Sequence, residues 1–186
     1  MKIVDLLDSR CIALGVQMKD KPAVIDLLVD LQQKSGALND VEKYKEAVWE
    51  REKQSSTAIE AGIAVPHAKS DAVVRPSLAA AVLDEGVDYG SMDGLPSDLF
   101  FMIAAPLDGE KHLEILARLM TLLMDPSFAC ELRKAGDAQT FLKVVERFER
   151  EKFDEVSKDD EKPSNSAVKY KVLAVTACPT GIAHTY

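Results

Sequence analysis

Two apolar runs, Leu78-Ala-Ala-Ala-Val-Leu83 and Leu99-Phe-Phe-Met-Ile-Ala104, decide the fold class of this chain. Both are short, and Pro, Ser and Asp residues bound them on either side. Neither run alternates with polar residues, which is typical of strands covered on both faces. We therefore predict a buried β-strand over each run.

Helical periodicity flanks these strands on both sides. The predicted helices cover residues 20–35, residues 40–54, a segment that Asp108 caps, residues 126–135 and residues 138–150. The first is the best defined, since Asp20 is a favoured N-cap residue, Pro22 fits a first helical turn and Gly36 is a common stop. Strands that alternate with helices favour an α/β sandwich with helices packed on a central sheet. The pattern leaves open whether that sheet is parallel, antiparallel or mixed.

The composition of the chain changes after residue 150. From Glu151 to Ser166, nine of sixteen residues are charged, too polar a stretch to offset its ordering entropy by burial. We expect a linker over 151–168, although its first part alternatively continues the preceding helix. The β-branched run Val168–Val175 is typical of a strand. Because the chain ends soon afterwards, we expect residues 169–186 to be the start of a second, truncated domain.

Charge and motif content exclude several function classes. A net charge of −8 over 186 residues argues against nucleic acid and anionic membrane surfaces as partners. The longest uncharged apolar run, Leu99–Leu107, is far shorter than the ~20 residues of a membrane-spanning helix. The three cysteines lack disulfide-like spacing, which fits a cytoplasmic location, and the first residues lack the apolar core of a signal peptide. Metal-ligand and nucleotide-binding spacings are missing, so we expect neither cofactor nor metal.

His67 is the first candidate for chemistry. It ends the segment Gly62-Ile-Ala-Val-Pro-His67, in which Pro66 restricts the preceding residue to extended geometry. We predict a short strand halted by Pro66, with His67 presented on a rigid loop at the strand end, as catalytic groups often are. The alternative is an ordinary loop histidine that makes one backbone hydrogen bond.

Arg51 and His112 are weaker candidates from the residues alone. The guanidinium of Arg51 would suit a phosphoryl group if it folded toward His67, but a charge run such as Trp49-Glu-Arg-Glu-Lys53 is more often a solvated helix face. His112 falls in the first turn of a predicted helix, where backbone N–H groups favour an anion. Its apolar neighbours favour the alternative, a satisfied core histidine.

Cys178 lies in the segment Ala177-Cys-Pro-Thr-Gly-Ile-Ala-His184, which is predicted to join a strand to a helix start. Helix N–H groups lower the pKa of a thiol placed there. The Cys-x5-His spacing resembles the Cys-x5-Arg phosphate loop of tyrosine phosphatases, so a thiol phosphatase is one hypothesis, although His184 lacks the guanidinium fork. A buried strand-end cysteine is the other interpretation.

Taken together, these segments resemble components of the bacterial sugar phosphotransferase system. Arg51-Glu-Lys-Gln-Ser-Ser-Thr57 and Gly62-Ile-Ala-Val-Pro-His67 are similar to the signature of the fructose/mannitol family of IIA domains. The resemblance covers residues 1–150 and includes the Asp108 to His112 segment. The tail, 169–186, is similar to the start of a fructose-type IIB domain, which carries a Cys-Pro-Thr-Gly-x-x-His loop.

The resemblance implies a central mixed β-sheet flanked by α-helices and a role as a phosphocarrier. His67 would be the phosphorylated histidine, His112 and Arg51 would stabilise the phosphoryl group, and Cys178 would be the IIB phosphocysteine. The implied partners are the phosphoryl donor HPr, a IIB domain and a membrane IIC domain, with fructose as the expected sugar and mannitol or a related hexose as the alternatives. The chain would lie in the cytoplasm, its full-length parent being attached to the inner face of the membrane.

Two points qualify the implied function. Some mannitol-type members carry an acid six residues before the active histidine, where this chain has Ala61, with Glu60 one step earlier. A second hypothesis is a regulatory IIA-like module, whose phosphorylation state controls a partner protein. The linker and the Cys178 segment favour the transport component, since a stand-alone regulator has no reason to continue into a IIB domain.

Overall fold

The computed structural model describes residues 2–107 and 111–154, with the backbone alone at 111, 112 and 154. Within these residues the chain forms one mixed sheet of five strands. The strands are β1 (Leu7–Val16), β2 (Ile63–Ala64), β3 (His67–Lys69), β4 (Ser77–Val87) and β5 (Ser97–Ala105). β1 is parallel to β4, and β4 is antiparallel to β5. β2 and β3 both run parallel to β5 along its other edge. The mixed sheet that the resemblance implied is confirmed.

Five α-helices cover the two faces of the sheet within the described residues. They are α1 (Lys21–Lys34), α2 (Val41–Gln54), α3 (Lys111–Leu123), α4 (Pro126–Arg133) and α5 (Ala138–Glu149). The helices predicted over 20–35, 40–54, 126–135 and 138–150 are confirmed. The predicted N-cap of α1 is confirmed, because the side chain of Asp20 accepts a hydrogen bond from the backbone N–H of Ala23. Gly36 follows the helix with φ +71°. The predicted cap Asp108 lies outside the described residues.

Strand alternation divides the core into two layers. Leu78 and Phe101 belong to the layer under α3, α4 and α5, whereas Ala79 and Phe100 belong to the layer under α1 and α2. Because both faces of β4 and β5 are covered, their buried runs contain almost no polar residues, as predicted. The result is an α/β/α sandwich.

The region around His67 differs from its prediction. Pro66 interrupts the edge of the sheet, but pairing resumes at once, and His67 is the first residue of β3, opposite Ile103. The amide of Ile103 donates to the carbonyl of Pro66 at 3.0 Å. The prediction of a loop at the strand end was therefore wrong, because proline removes only one donor and leaves its carbonyl free to pair. His67 is fixed by strand pairing on one side of its backbone.

The helical path of α5 extends beyond its last residue as a π-helical turn over Arg150–Asp154. Phe153 packs against the core, and the Arg118 guanidinium lies 4.1 Å from the centre of its ring. The first part of the predicted linker thus continues the helix, which was the alternative interpretation. The rest of that linker, the predicted strand 168–175 and Cys178 lie outside the described residues. Among the helices that the structure describes, none is both long and apolar enough to span a bilayer.

Candidate functional site

The imidazole of His67 is held by hydrogen bonds at both ring nitrogens. Nδ1 lies 2.8 Å from the carbonyl oxygen of Val65, and Nε2 lies 3.2 Å from Nε of Arg51. The Arg51 N–H group is only a donor, so Nε2 must accept with its lone pair. The proton is therefore assigned to Nδ1, which donates it to Val65. Nε2 carries the lone pair on the side of the ring that faces Arg51.

The surroundings of His67 favour its neutral form. Burial is the largest influence and lowers the pKa of His67 below its ordinary value of 6.5, and the positive charge of Arg51 lowers it further. The hydrogen bond to Val65 and the negative charge of Glu52 oppose this change and raise the pKa, but the net direction is downward. A neutral imidazole with a free lone pair is the nucleophilic form of histidine.

Arg51 belongs to the last turn of α2, which projects it toward β3. Its Nη1 donates to the backbone carbonyl of Ser55 at 3.1 Å and to the hydroxyl of Ser55 at 3.3 Å. Nη2 has no hydrogen-bond partner among the residues that the structure describes. The guanidinium is therefore fixed at two nitrogens and retains donors for an incoming anion.

His67 and Arg51 share an open depression of about 510 Å³ between α2 and β3. Its remaining lining comes from Ala47, Glu50, Gln54, Ala68 and Lys69. Lys69 follows His67 by two residues on β3, so the two side chains project from the same side of the strand. Lys69 was not among the residues predicted for the site, although strand alternation after His67 could have identified it. A small anion can enter from solvent and meet the imidazole, the guanidinium and the ammonium group together.

Two of the candidate residues are not tested by this geometry. His112 is the second residue of α3, and only its backbone is described. Cys178 lies outside the described residues. Their roles therefore stay predictions. Over residues 2–107 and 111–154, no three His, Cys, Asp or Glu side chains are grouped so that they could hold a metal ion.

A second cavity of about 470 Å³ lies apart from His67, under the turn that precedes β2. It is mostly apolar, and its lining includes Ile59, Met120 and Met124. Neither His67 nor Arg51 lines it. The depression beside α2 is therefore the candidate site, because it alone combines a nucleophile with cations among the described cavities.

The comparison with protein families agrees with this fold and site. Residues 5–148 match the family described as "Phosphoenolpyruvate-dependent sugar phosphotransferase system, EIIA 2". This range is most of the chain, so the chain belongs to that family. The resemblance inferred from the segments around Arg51 and His67 is confirmed.

Three curated relatives place the chain more closely. A phosphotransferase-system fructose-specific EIIABC component of Bacillus subtilis is 45% identical over 187 residues, covering 100% of this chain but 29% of that protein. A fructose-specific EIIA component of Haloferax volcanii is 39% identical over 67% of this chain and 82% of that protein. A nitrogen regulatory protein of Bradyrhizobium diazoefficiens is 34% identical over 78% of this chain and 95% of that protein. The chain thus spans less than a third of the EIIABC relative.

Solved structures share the fold. The crystal structure of the mannitol IIA protein of Escherichia coli has a TM-score of 0.65 at 26% identity, covering 74% of this chain and 97% of that one. An NMR structure of the mannitol IIA enzyme in complex with phosphorylated IIB, from the same organism, has a TM-score of 0.67 at 24% identity, covering 76% and 99%. The α/β sandwich with a mixed sheet is therefore that of mannitol-type IIA proteins.

Proposed function

We propose that this chain is the phosphocarrier part of a sugar phosphotransferase system and that it carries the phosphoryl group on Nε2 of His67. The observation that supports this most directly is the hydrogen-bond pattern of the ring. Val65 fixes the proton on Nδ1, and the lone pair of Nε2 faces Arg51 in an open depression. A neutral ring with its proton held on Nδ1 and its lone pair on Nε2 is the form of histidine that attacks phosphorus.

The transfer step follows from these contacts. The Nε2 lone pair attacks the phosphorus of a phosphohistidine on the donor HPr, and the donor's nitrogen–phosphorus bond breaks as the new bond forms. The electron pair of the broken bond returns to the donor imidazole, while Nδ1–H of His67 stays bonded to Val65. The transition state is loose, so catalysis comes from positioning and charge stabilisation. Arg51 supplies that charge, and His112 is the second stabiliser that the family resemblance implies.

The next acceptor is the thiolate of Cys178 in the intact protein. We place the IIA domain at 1–150, the linker at 151–168 and the start of a IIB domain at 169–186. The identity to the EIIABC relative across the whole chain supports a IIB start after the IIA domain, and a mannitol IIA enzyme has been solved in complex with phosphorylated IIB. Fructose is the proposed sugar, because two relatives are named as fructose-specific. The proposed location is the cytoplasmic face of the membrane, next to a IIC domain.

A regulatory role is the second candidate, and one observation favours it. The nitrogen regulatory relative is covered by this chain over 95% of its length, so the IIA fold alone does not distinguish the two functions. The match of the EIIABC relative continues through the tail that holds Cys178, which a stand-alone regulator would not need. We therefore favour the transport component.

The test is phosphotransfer from phosphoenolpyruvate through purified enzyme I and HPr. The wild-type chain should gain one acid-labile, base-stable phosphoryl group, and His67→Ala should gain none. His184→Ala is the matched histidine control and should be labelled like the wild type. Labelling that persists in a folded His67→Ala variant would overturn the assignment. Transfer onward to fructose, after addition of separate IIB and IIC domains, distinguishes the transport component from the regulator.

A further inference from the structure

Glu52 is a buried carboxylate that the reaction described above does not use. Its side chain is only 2% exposed, although it lies next to Arg51 in the last turn of α2. Lys21 donates to it from Nζ at 2.7 Å. Thr57 donates twice, from its backbone N–H at 2.9 Å and from its hydroxyl at 2.6 Å. A buried charge is tolerated only when it is paired in this way.

The contacts of Glu52 lead to the ring of His67 through two residues. The carboxylate fixes Thr57, whose carbonyl accepts the N–H of Val65 at 3.0 Å. The carbonyl of Val65 in turn accepts Nδ1–H of His67 at 2.8 Å. Each contact fixes the position of the next backbone segment, so Glu52 holds Thr57 in place and Thr57 holds Val65, whose carbonyl faces Nδ1. The acceptor that fixes the tautomer of His67 is thus itself held by a buried charge.

We propose that Glu52 is a positioning residue for phosphoryl transfer, acting through Thr57 and Val65 to hold the His67 ring with its proton on Nδ1 and its lone pair on Nε2. The proposal rests on the proposed function of His67. Glu52 and Arg51 are neighbours in sequence, but they act on different nitrogens of the His67 ring. Arg51 contacts the nitrogen that attacks, and Glu52 supports the nitrogen that keeps its proton.

Charge adds a second reason for a carboxylate here. When Nε2 bonds to phosphorus, the ring acquires imidazolium character, which a nearby negative charge stabilises. The positive charges of Arg51 and Lys69 in the depression, and of Lys21 beyond Glu52, disfavour positive charge on the ring. The negative charge of Glu50 at the rim favours it. Glu52 is the buried acid among these groups, so its charge is screened least by solvent.

The chain offers a matched control in Glu149. Its side chain is 1% exposed, and Arg118 Nε lies 2.5 Å from its carboxylate. It accepts backbone N–H groups as Glu52 does, from Ile3 at 2.7 Å and from Val4 at 3.2 Å. These contacts anchor the start of the chain and do not involve His67. Replacement of either carboxylate by an amide should therefore lower the free energy of unfolding. Only replacement of Glu52 should change the orientation of the His67 ring.

The experiment compares Glu52→Gln with Glu149→Gln in the full chain. Ring ¹⁵N NMR reports the tautomer and the pKa of His67. Quenched phosphotransfer assays report kcat and KM with phospho-HPr. For Glu52→Gln we expect a smaller Nδ1–H population, a lower His67 pKa because a negative charge is removed, and a kcat about tenfold lower with KM unchanged. Glu149→Gln should leave all three values at those of the wild type.

If Glu52→Gln does not fold, Glu52→Asp replaces it. That variant keeps the charge but is one methylene too short to retain all three donors, so kcat should fall while the His67 pKa stays near that of the wild type. A folded Glu52 variant with an unchanged tautomer and an unchanged kcat overturns the proposal, as does an equal loss of kcat in Glu149→Gln. The NMR readout needs no phosphoryl donor, so a wild-type chain that HPr does not label would refute the proposed function and still leave the ring geometry to be measured.

Discussion

Nε of Arg51 lies 3.2 Å from Nε2 of His67, so the arginine occupies the direction from which phosphorus must approach. The contact keeps the lone pair on Nε2 oriented before the donor arrives. It must break during transfer, because Nε2 cannot accept a hydrogen bond and form a bond to phosphorus with the same electron pair. The guanidinium can then donate to a phosphoryl oxygen instead.

Substitution of Arg51 should therefore slow transfer more than charge loss alone predicts. We expect phosphoryl acceptance to fall about a hundredfold in Arg51→Ala and about tenfold in Arg51→Lys, which keeps the charge but loses the planar fork. Rapid-quench phosphotransfer from phospho-HPr measures both. Arg10→Ala is the control, since that exposed arginine pairs with Asp8 on β1, at the opposite edge of the sheet. Equal rates for Arg51→Lys and the wild type would contradict the geometry.

Phosphoryl acceptance should depend on pH through His67. Because its pKa in the folded protein is below the ordinary value of 6.5, the imidazole stays uncharged at pH 7 and still at pH 6.5. The rate of phosphoryl acceptance should fall only when the pH drops through the lower pKa of the folded state. The free energy of unfolding should change with pH in the same direction as the rate of acceptance. Below 6.5 the unfolded state binds the proton first, so the His67 contribution to the free energy of unfolding decreases as the pH falls through the folded pKa.

Proton NMR titration of His67 checks this directly, with His67→Gln as the control for the unfolding profile. A measured pKa at or above 6.5 would contradict the expected net lowering of the pKa of His67.

Lys69 should assist the encounter with a phosphorylated donor. It is exposed, lines the depression and forms no ion pair with the described residues. We expect Lys69→Ala to lower kcat/KM about threefold at low ionic strength, and Lys69→Glu to lower it further, with both effects shrinking in high salt. Lys134→Ala, an exposed lysine just after α4 and outside the depression, should have no effect. A salt-independent loss in Lys69→Ala would exclude the electrostatic explanation.

The turn before β2 carries a backbone conformation that alanine disfavours. Ala61 has φ +61°, held by an N–H bond to Asp93 and by Arg133, which donates to the Ala61 carbonyl at 2.8 Å. Ala61→Gly should stabilise the protein by about 0.5–1 kcal/mol, because glycine adopts this conformation without strain. Gly62→Ala should destabilise it, since φ there is +73° and a Cβ would meet Asp98 at 3.0 Å. Urea unfolding measures both, and destabilisation by Ala61→Gly would contradict the argument.

Much of the fold was predictable because its signals are local. Asp20, Asp40, Asp125 and Asp137 each precede a helix and accept a backbone hydrogen bond from its first turn. The buried strands β4 and β5 are apolar on both faces. In contrast, the sequence analysis missed β1, since this edge strand places Asp8, Ser9 and Arg10 in its path and its burial pattern is irregular.

The geometry of the site depends on tertiary contacts that the local sequence pattern does not predict. Arg51 and Glu52 are part of one charge run, yet the first is half-buried at the site and the second is enclosed. The difference arises because Lys21 reaches Glu52 from the start of α1, and Thr57 reaches it from the segment that follows α2. The approach of Arg51 to His67 was predicted only through the family resemblance, since periodicity does not say which helix end meets which strand.

The contact between Glu149 and Ile3 has a consequence for biosynthesis. The two residues are separated by 146 positions, and β1 pairs with β4 only after some seventy further residues have been made. The antiparallel pair β4–β5 can form early, whereas the first strand must wait on the ribosome for its neighbour and for α5. A ribosome stalled before Glu149 therefore presents a nascent chain in which the N–H groups of Ile3 and Val4 lack their carboxylate acceptor, and this contact forms only when nearly the whole folded unit has been translated.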